Sequence, residues 1–152
     1  MNSDPSQAEL AIRALEARYC DAVNRRDAEA WSATWAQDSQ WTLLGRTING
    51  RAGIRAAWQT AMDSYPMVFH MPVTGLVTLR GEHALCRWYI HEFVRDQKGN
   101  ALQFMGVYND TCVPYGDAWV FKSRRFDIIY YGPGTLTADG WKGYPSDLNH
   151  AL

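Results

Sequence analysis

The sequence predicts an α+β domain, three helices followed by a curved antiparallel sheet, and three observations carry that reading. Up to about Ser64 the apolar residues recur at spacings of three and four. From Met67 onward the period changes to two and stays there. Turn-forming residues at Gly81-Glu82, Gln97 to Asn100 and Gly116-Asp117 then divide the second half into four runs of strand length. Helices first and a meander afterwards place the helices over one face of a single sheet. At 152 residues the chain is one domain with room for a sizeable core.

Two overlapping helix starts open the chain, Asp4 capping with Pro5 at the first helical position, and a Ser6-x-x-Glu9 capping box. Ala8, Ala11, Ile12, Leu15, Tyr19, Ala22 and Val23 follow as one apolar stripe through about Asn24. Tyr19 lies in that stripe, so its hydroxyl either reaches a pocket or bonds a backbone group. Asp27 can cap a second, short helix with Trp31 and Trp35 one turn apart and Asp38-Ser39 ending it. QWTLLG reads as a short strand in which Trp41 and Leu43 share a face, and Asn49-Gly50 as a turn. Ile54, Trp58 and Met62 then mark a third helix. Strands are expected at about 67–80, 83–96, 101–115 and 118–131. This gives a domain over residues 1–131, and 132–152, rich in Gly, Pro and Asp, reads as an irregular extension that covers the open end or a neighbouring subunit, or is partly disordered.

The candidate chemistry lies on the strands. In YPMVFHMPVTGLVTL a lone His70 sits among residues suited to burial, and Pro66, Pro72 and Gly75 predict a bent or bulged strand. His70 shares a face with Val68, Pro72 and Thr74, which makes it either a pocket base or a core histidine with both nitrogens satisfied. On the next strand Ala84, Cys86, Trp88 and Ile90 form the less charged set and should face the helices, leaving His91 outward with Arg87, Tyr89 and Phe93. Glu92 continues the inward set. A carboxylate there serves a structural hydrogen bond, chemistry, or a solvated mouth at the strand end. On the last strand, Trp119 and Phe121 followed by Arg124, Phe126, Ile128 and Tyr130 switch from odd to even positions, which implies a bulge near Lys122-Ser123. Arg124 then points inward and needs an acceptor, from a structural ion pair or from a ligand.

Composition narrows the partners. A net charge of -1, no long charge run and 47% hydrophobic residues argue against nucleic acid or an anionic membrane, and for a neutral or amphipathic small molecule. Seven Trp and eight Tyr suit either a roomy pocket or an ordinary core. Cys20, Cys86 and Cys112 have no metal-ligand spacing and an odd count, so they read as core residues of a protein in a reducing cytoplasm. MNSDPSQAEL has neither the basic start nor the apolar core of a signal peptide, and no apolar run approaches membrane-spanning length. Motifs for metals, nucleotides and nucleophilic Ser or Cys are absent, so no cofactor is expected.

The order of elements, with the segments YCDAVNRRDAEAW, TWAQDSQW, INGRAGIRAAW, FHMPVTG and YNDTCVPYGDAWVFKSRR, resembles the nuclear transport factor 2-like superfamily. More narrowly it resembles the SnoaL-like branch that contains scytalone dehydratase, hexachlorocyclohexane dehydrochlorinase and bile-acid dehydratase. The resemblance covers about residues 8 to 131. It implies a cone-shaped α+β barrel floored by the sheet and lidded by the first helix. His70 falls at the family's acid or base, Tyr19 at a ligand contact, Arg124 at a pocket arginine, and Glu92 near an acid some members use. The position of the carboxylate that orients the histidine is held by Asn24; a neutral amide cannot supply that charge, but Asn24 can fix the tautomer by a hydrogen bond and Glu92 could provide the missing charge, the two together holding His70 in orientation.

The activity the resemblance implies is that of a cofactor-independent lyase acting on a small aromatic or polycyclic hydroxylated molecule. Elimination of water comes first, isomerisation or carbon-carbon cleavage next. Trp41, Leu43, Val68, Trp88, Ile90, Tyr108, Phe126 and Ile128 would wall the pocket. The alternative is a noncatalytic ligand-binding domain, or the small subunit of a ring-hydroxylating dioxygenase, with the cone filled. A homo-oligomer, dimer or trimer, is implied through the outer sheet face of Arg87, Tyr89, His91 and Phe93.

Overall fold

The computed structural model describes residues 4–134. Helix α1 spans Pro5–Arg25, and of its two candidate starts Asp4 is the cap, its carboxylate accepting from the Ser6 N–H at 3.0 Å. The buried stripe is the expected one with Glu16 added and Ala11 only half-buried. Asp27 caps α2, Ala28–Ala33, by accepting from the Ala30 N–H at 2.9 Å.

From here the chain departs from expectation. The second helix stops before Trp35, which begins strand β1, Trp35–Leu43. The Phe121 N–H donates to the Thr34 carbonyl at 2.8 Å, so pairing with the last strand takes the backbone that would have continued the helix. Trp31 and Trp35 still meet, their ring centroids 5.5 Å apart. A spacing of four on so short a stretch reads alike for one helical turn or a helix-to-strand corner. A second strand, β2, Arg46–Asn49, also goes beyond the prediction, folding back on β1 through Leu44 and Gly45 with φ of 52° and 75°. Positive φ at both central residues is the mark of a tight hairpin turn.

Helix α3, Arg51–Ser64, buries Ile54, Trp58 and Met62 as its spacing requires. Strands β3, Met67–Arg80, β4, His83–Arg95, β5, Ala101–Tyr115, and β6, Ala118–Pro133, follow. They form the expected meander inside a larger sheet of six strands ordered β2-β1-β6-β5-β4-β3, in which β1 runs parallel to β6. Gly132 and Pro133 belong to β6, paired with Gln103 and Leu102, and the rest of the expected extension, 135–152, lies outside the described residues. None of the described helices is long and apolar enough to cross a membrane.

Three register shifts within the meander curve the sheet around α1 and α3, and a fourth interrupts the β1–β6 pairing between Trp35 and Gln40. Two fall where the sequence puts them, at Pro72/Thr74 and at Lys122, and the second turns Arg124 inward. The third, opposite Met105 and Gly106, is new, and it leaves Ile129 68% exposed. Beyond it Tyr131 pairs with Phe104, their rings 4.6 Å apart, and Tyr130, expected to continue the inward set, is 39% exposed.

At Gly75 the sheet admits no side chain. A Cβ there would lie 1.9 Å from the Trp88 ring, so Gly75→Ala should destabilise by about 1–3 kcal/mol. Urea denaturation checks this, and an unchanged midpoint would show that Trp88 moves aside freely.

Candidate active site

The antiparallel register of β3 and β4 sets His70 opposite Glu92, on one face of the sheet. Their side chains meet, Nδ1 to Oε2, at 2.6 Å. An ionised carboxylate only accepts, so Nδ1 carries the hydrogen and, in the neutral ring, Nε2 keeps the lone pair. Among the described residues Nε2 has no hydrogen-bond partner, and His70 is 3% exposed.

Asn24, expected to orient the ring, instead holds the backbone. Its Oδ1 accepts from the His70 N–H at 2.8 Å and its Nδ2 donates to the His70 carbonyl at 2.9 Å. An amide offers one donor and one acceptor side by side, so it pairs with a strand residue as a neighbouring strand would. The Cys20 thiol donates to the same carbonyl at 3.0 Å. Burial, with Glu16 nearby, pushes that thiol up to about 12, so it is neither a thiolate nor a nucleophile.

From α1, Tyr19 reaches across to Tyr108 on β5, the hydroxyls 3.4 Å apart. Burial raises Tyr19 to about 12 and Tyr108 well above the usual phenol value, so both keep their protons. Two hydroxyls sharing one bond leave one O–H to donate elsewhere. Arg124 stands behind this pair, its guanidinium carbon 4.2 Å from the Tyr19 ring centre, 3.9 Å from that of Tyr108 and 4.0 Å from that of Phe121. Its Nη2 donates to Glu16 at 2.7 Å and its Nε to Asp110 at 3.0 Å. Arg124 therefore meets Tyr19 and Tyr108 without lining the cavity.

That cavity, about 230 Å³, opens beside His70 and Glu92. Of the residues named to wall a pocket, Trp41, Leu43, Val68, Ile90, Tyr108, Phe126 and Ile128 lie around this cavity. Trp88 does not. It lies beyond the Pro72/Thr74 shift, opposite Gly75, where its ring faces Arg13 of α1. Val23, Leu44, Trp58, Ala61, Met62, Tyr65 and Phe104 complete the wall and were not foreseen. Trp58 and Met62 are on the α3 stripe, and Phe104 precedes Tyr108 by two strand periods, so both signals were present in the pattern. Glu16 and Asp110 were missed in the same way, one four residues from Ile12, the other two from Tyr108. Among the described residues no three or more of His, Cys, Asp and Glu gather to hold a metal ion.

Glu16, Arg124 and Asp110 are 2%, 1% and 4% exposed, two acids on one base. Burial raises Asp110 to about 7 although Arg124 pulls it back, and burial raises Glu16 as well. The folded protein thus keeps a proton that the unfolded chain releases near pH 4, and stability falls as pH rises from about 4 to about 7. Asp110→Asn removes this dependence. Denaturation midpoints followed across that window should shift in favour of the variant and level off above it; a constant gap would rule out titration of Asp110.

The chain was compared with known proteins. The model of the SnoaL-like domain matches residues 4–125. No curated protein matches the chain. Among solved structures, a proposed aromatic ring hydroxylase from Novosphingobium aromaticivorans superimposes with a TM-score of 0.79 at 22% identity, covering 87% of this chain and 96% of that one. A type 2 hexachlorocyclohexane dehydrochlorinase gives 0.78 at 16% identity, covering 86% and 92%. A proposed scytalone dehydratase, also from N. aromaticivorans, gives 0.77 at 17%, covering 86% and 89%. With the family model spanning both α1 and the strands that carry His70, Glu92 and Arg124, this chain belongs to the SnoaL-like domain family of the nuclear transport factor 2-like superfamily.

Proposed function

We propose that the protein is a lyase that eliminates water from a small hydroxylated aromatic molecule by proton transfer through His70. One observation carries the reading: a buried imidazole, fixed through Nδ1 by Glu92, borders an open apolar cavity, and its Nε2 has no hydrogen-bond partner among the described residues. The dehydrochlorinase and proposed dehydratase of the same fold support it at the level of reaction class. Nε2 takes the proton from the carbon next to the one bearing the hydroxyl, the C–H pair becomes the new double bond, and the C–O bond breaks. The departing hydroxide leaves as water, its proton coming from the imidazolium, while the free O–H of the Tyr19–Tyr108 pair steadies the developing oxygen charge. Asn24 and Glu92 position His70, and Arg124 acts through the phenols it underlies.

Cavity size limits the substrate. At ~30 Å³ per water, 230 Å³ holds roughly eight waters, which suits one or two rings better than a larger polycycle. Incubation with one- and two-ring aromatic alcohols should yield a product lighter by one water. Isomerised or fragmented products would keep the His70 chemistry and change the reaction, whereas turnover of none of the panel would overturn the lyase reading. A noncatalytic filled cone is the rival, and the open cavity speaks against it.

A further inference from the structure

Behind the pocket lies a group of charges of which the proposed elimination uses only Arg124. Glu16 on α1, Asp110 on β5 and Arg124 on β6 form a buried triad in which two carboxylates share one guanidinium. With both acids ionised the triad would carry one uncompensated negative charge, which is costly in such surroundings. Each acid also has an oxygen without a hydrogen bond from the described residues, Oε1 of Glu16 and Oδ2 of Asp110, so a proton has somewhere to sit. We propose that Glu16 and Asp110 hold one proton between them, and that they clamp Arg124 beneath Tyr19 and Tyr108 so that loss of this proton retunes the pocket face.

The neighbourhood fits a device of this kind. Tyr19 joins the triad from α1, Tyr108 from β5 and His70 from β3, and the negative charge left by deprotonation would favour imidazolium and oppose phenolate. Cys112 lies beside Asp110 with Cys86 against it, the Trp88 indole faces Asp110 from β4, and Cys20 faces Glu16. Neither Cys20 nor Cys112 ionises near neutrality, because burial raises Cys20 and the Cys86 contact, reinforced by burial, raises Cys112. Glu92 is the remaining carboxylate within electrostatic reach of Tyr108, and it is tied to His70. Glu16 and Asp110 are thus positioning residues, since they touch the guanidinium and not the cavity. Their bearing on catalysis rests on the lyase reading, but the shared proton does not.

The test therefore needs no substrate. Infrared difference spectra of the full chain, taken between about pH 5 and pH 8.5, should show a protonated carboxyl band that is lost around pH 7. In Asp110→Asn and in Glu16→Gln one carboxylate faces one guanidinium, so that loss should vanish from both. Ring-nitrogen NMR of His70 should show an inflection at the same pH, also absent from both variants. A wild type with no such band, or a band that persists in both variants, overturns the shared proton even where one variant fails to fold. A band without the matching His70 inflection overturns the coupling to the pocket. Failure of the elimination assay would leave every one of these readings standing.

Discussion

His70→Ala should lower kcat by roughly 10²–10⁴-fold, the range a positioned acid or base supplies, and should lower kcat/KM by a similar factor. The two fall together because the proton moves only in the transition state, so the ground-state complex loses little. Binding of a non-reacting aromatic analogue should stay within a few-fold of the wild type, since the apolar walls on β1, β5, β6 and α3 remain. Glu92→Gln is the informative companion. The amide can still touch Nδ1, but it no longer obliges Nδ1 to carry the hydrogen, so part of the population holds the wrong tautomer. Its kcat should lie between those of the wild type and His70→Ala. Steady-state kinetics on whichever alcohol turns over decides it, and a His70→Ala enzyme with wild-type kcat would make His70 an ordinary core residue.

Sequence pattern carried the strands and one face of the site a long way, for a physical reason. Period-two burial is a local property, so the inward set Ala84, Cys86, Trp88, Ile90 and Glu92 could be read directly, and the parity switch around Lys122 exposed a bulge and thereby Arg124. What the pattern could not carry was pairing at a distance. β1 lies parallel to β6, some eighty residues away, and nothing local to TWAQDSQW announces it. The bulge at Ile129 has neither Pro nor Gly within two residues on its own strand, and its partner signal, Gly106, lies on β5. Gly106 is also where a Cβ would lie 2.5 Å from the Phe126 ring of the cavity wall. Asn24 shows a third limit. A resemblance located the residue correctly beside His70, but only coordinates reveal that its amide grips the backbone and leaves the ring to Glu92.

Arg124→Met should cost about 3–5 kcal/mol of stability, because it leaves Glu16 and Asp110 buried with no cation between them. For a domain of this size each kcal/mol shifts Tm by roughly 2–4 °C, so the melting temperature should drop by about 6–20 °C. The loss should shrink on acidification. Both acids are already raised by burial, and below about pH 4 each can be neutral in the variant, which removes the charge that makes it unstable. Arg124→Lys should fall between, since an ammonium keeps the charge but lacks the flat fork that donates from Nε and Nη2 while stacking on three rings. Replacing all three members with apolar residues of similar size should recover most of the stability, because buried ion pairs contribute little over good packing. It should not recover turnover, since the cation under Tyr19 and Tyr108 is gone. If the apolar triple variant is both stable and fully active, the triad serves the core alone; if it is stable and slow, the charge behind the phenols belongs to the chemistry.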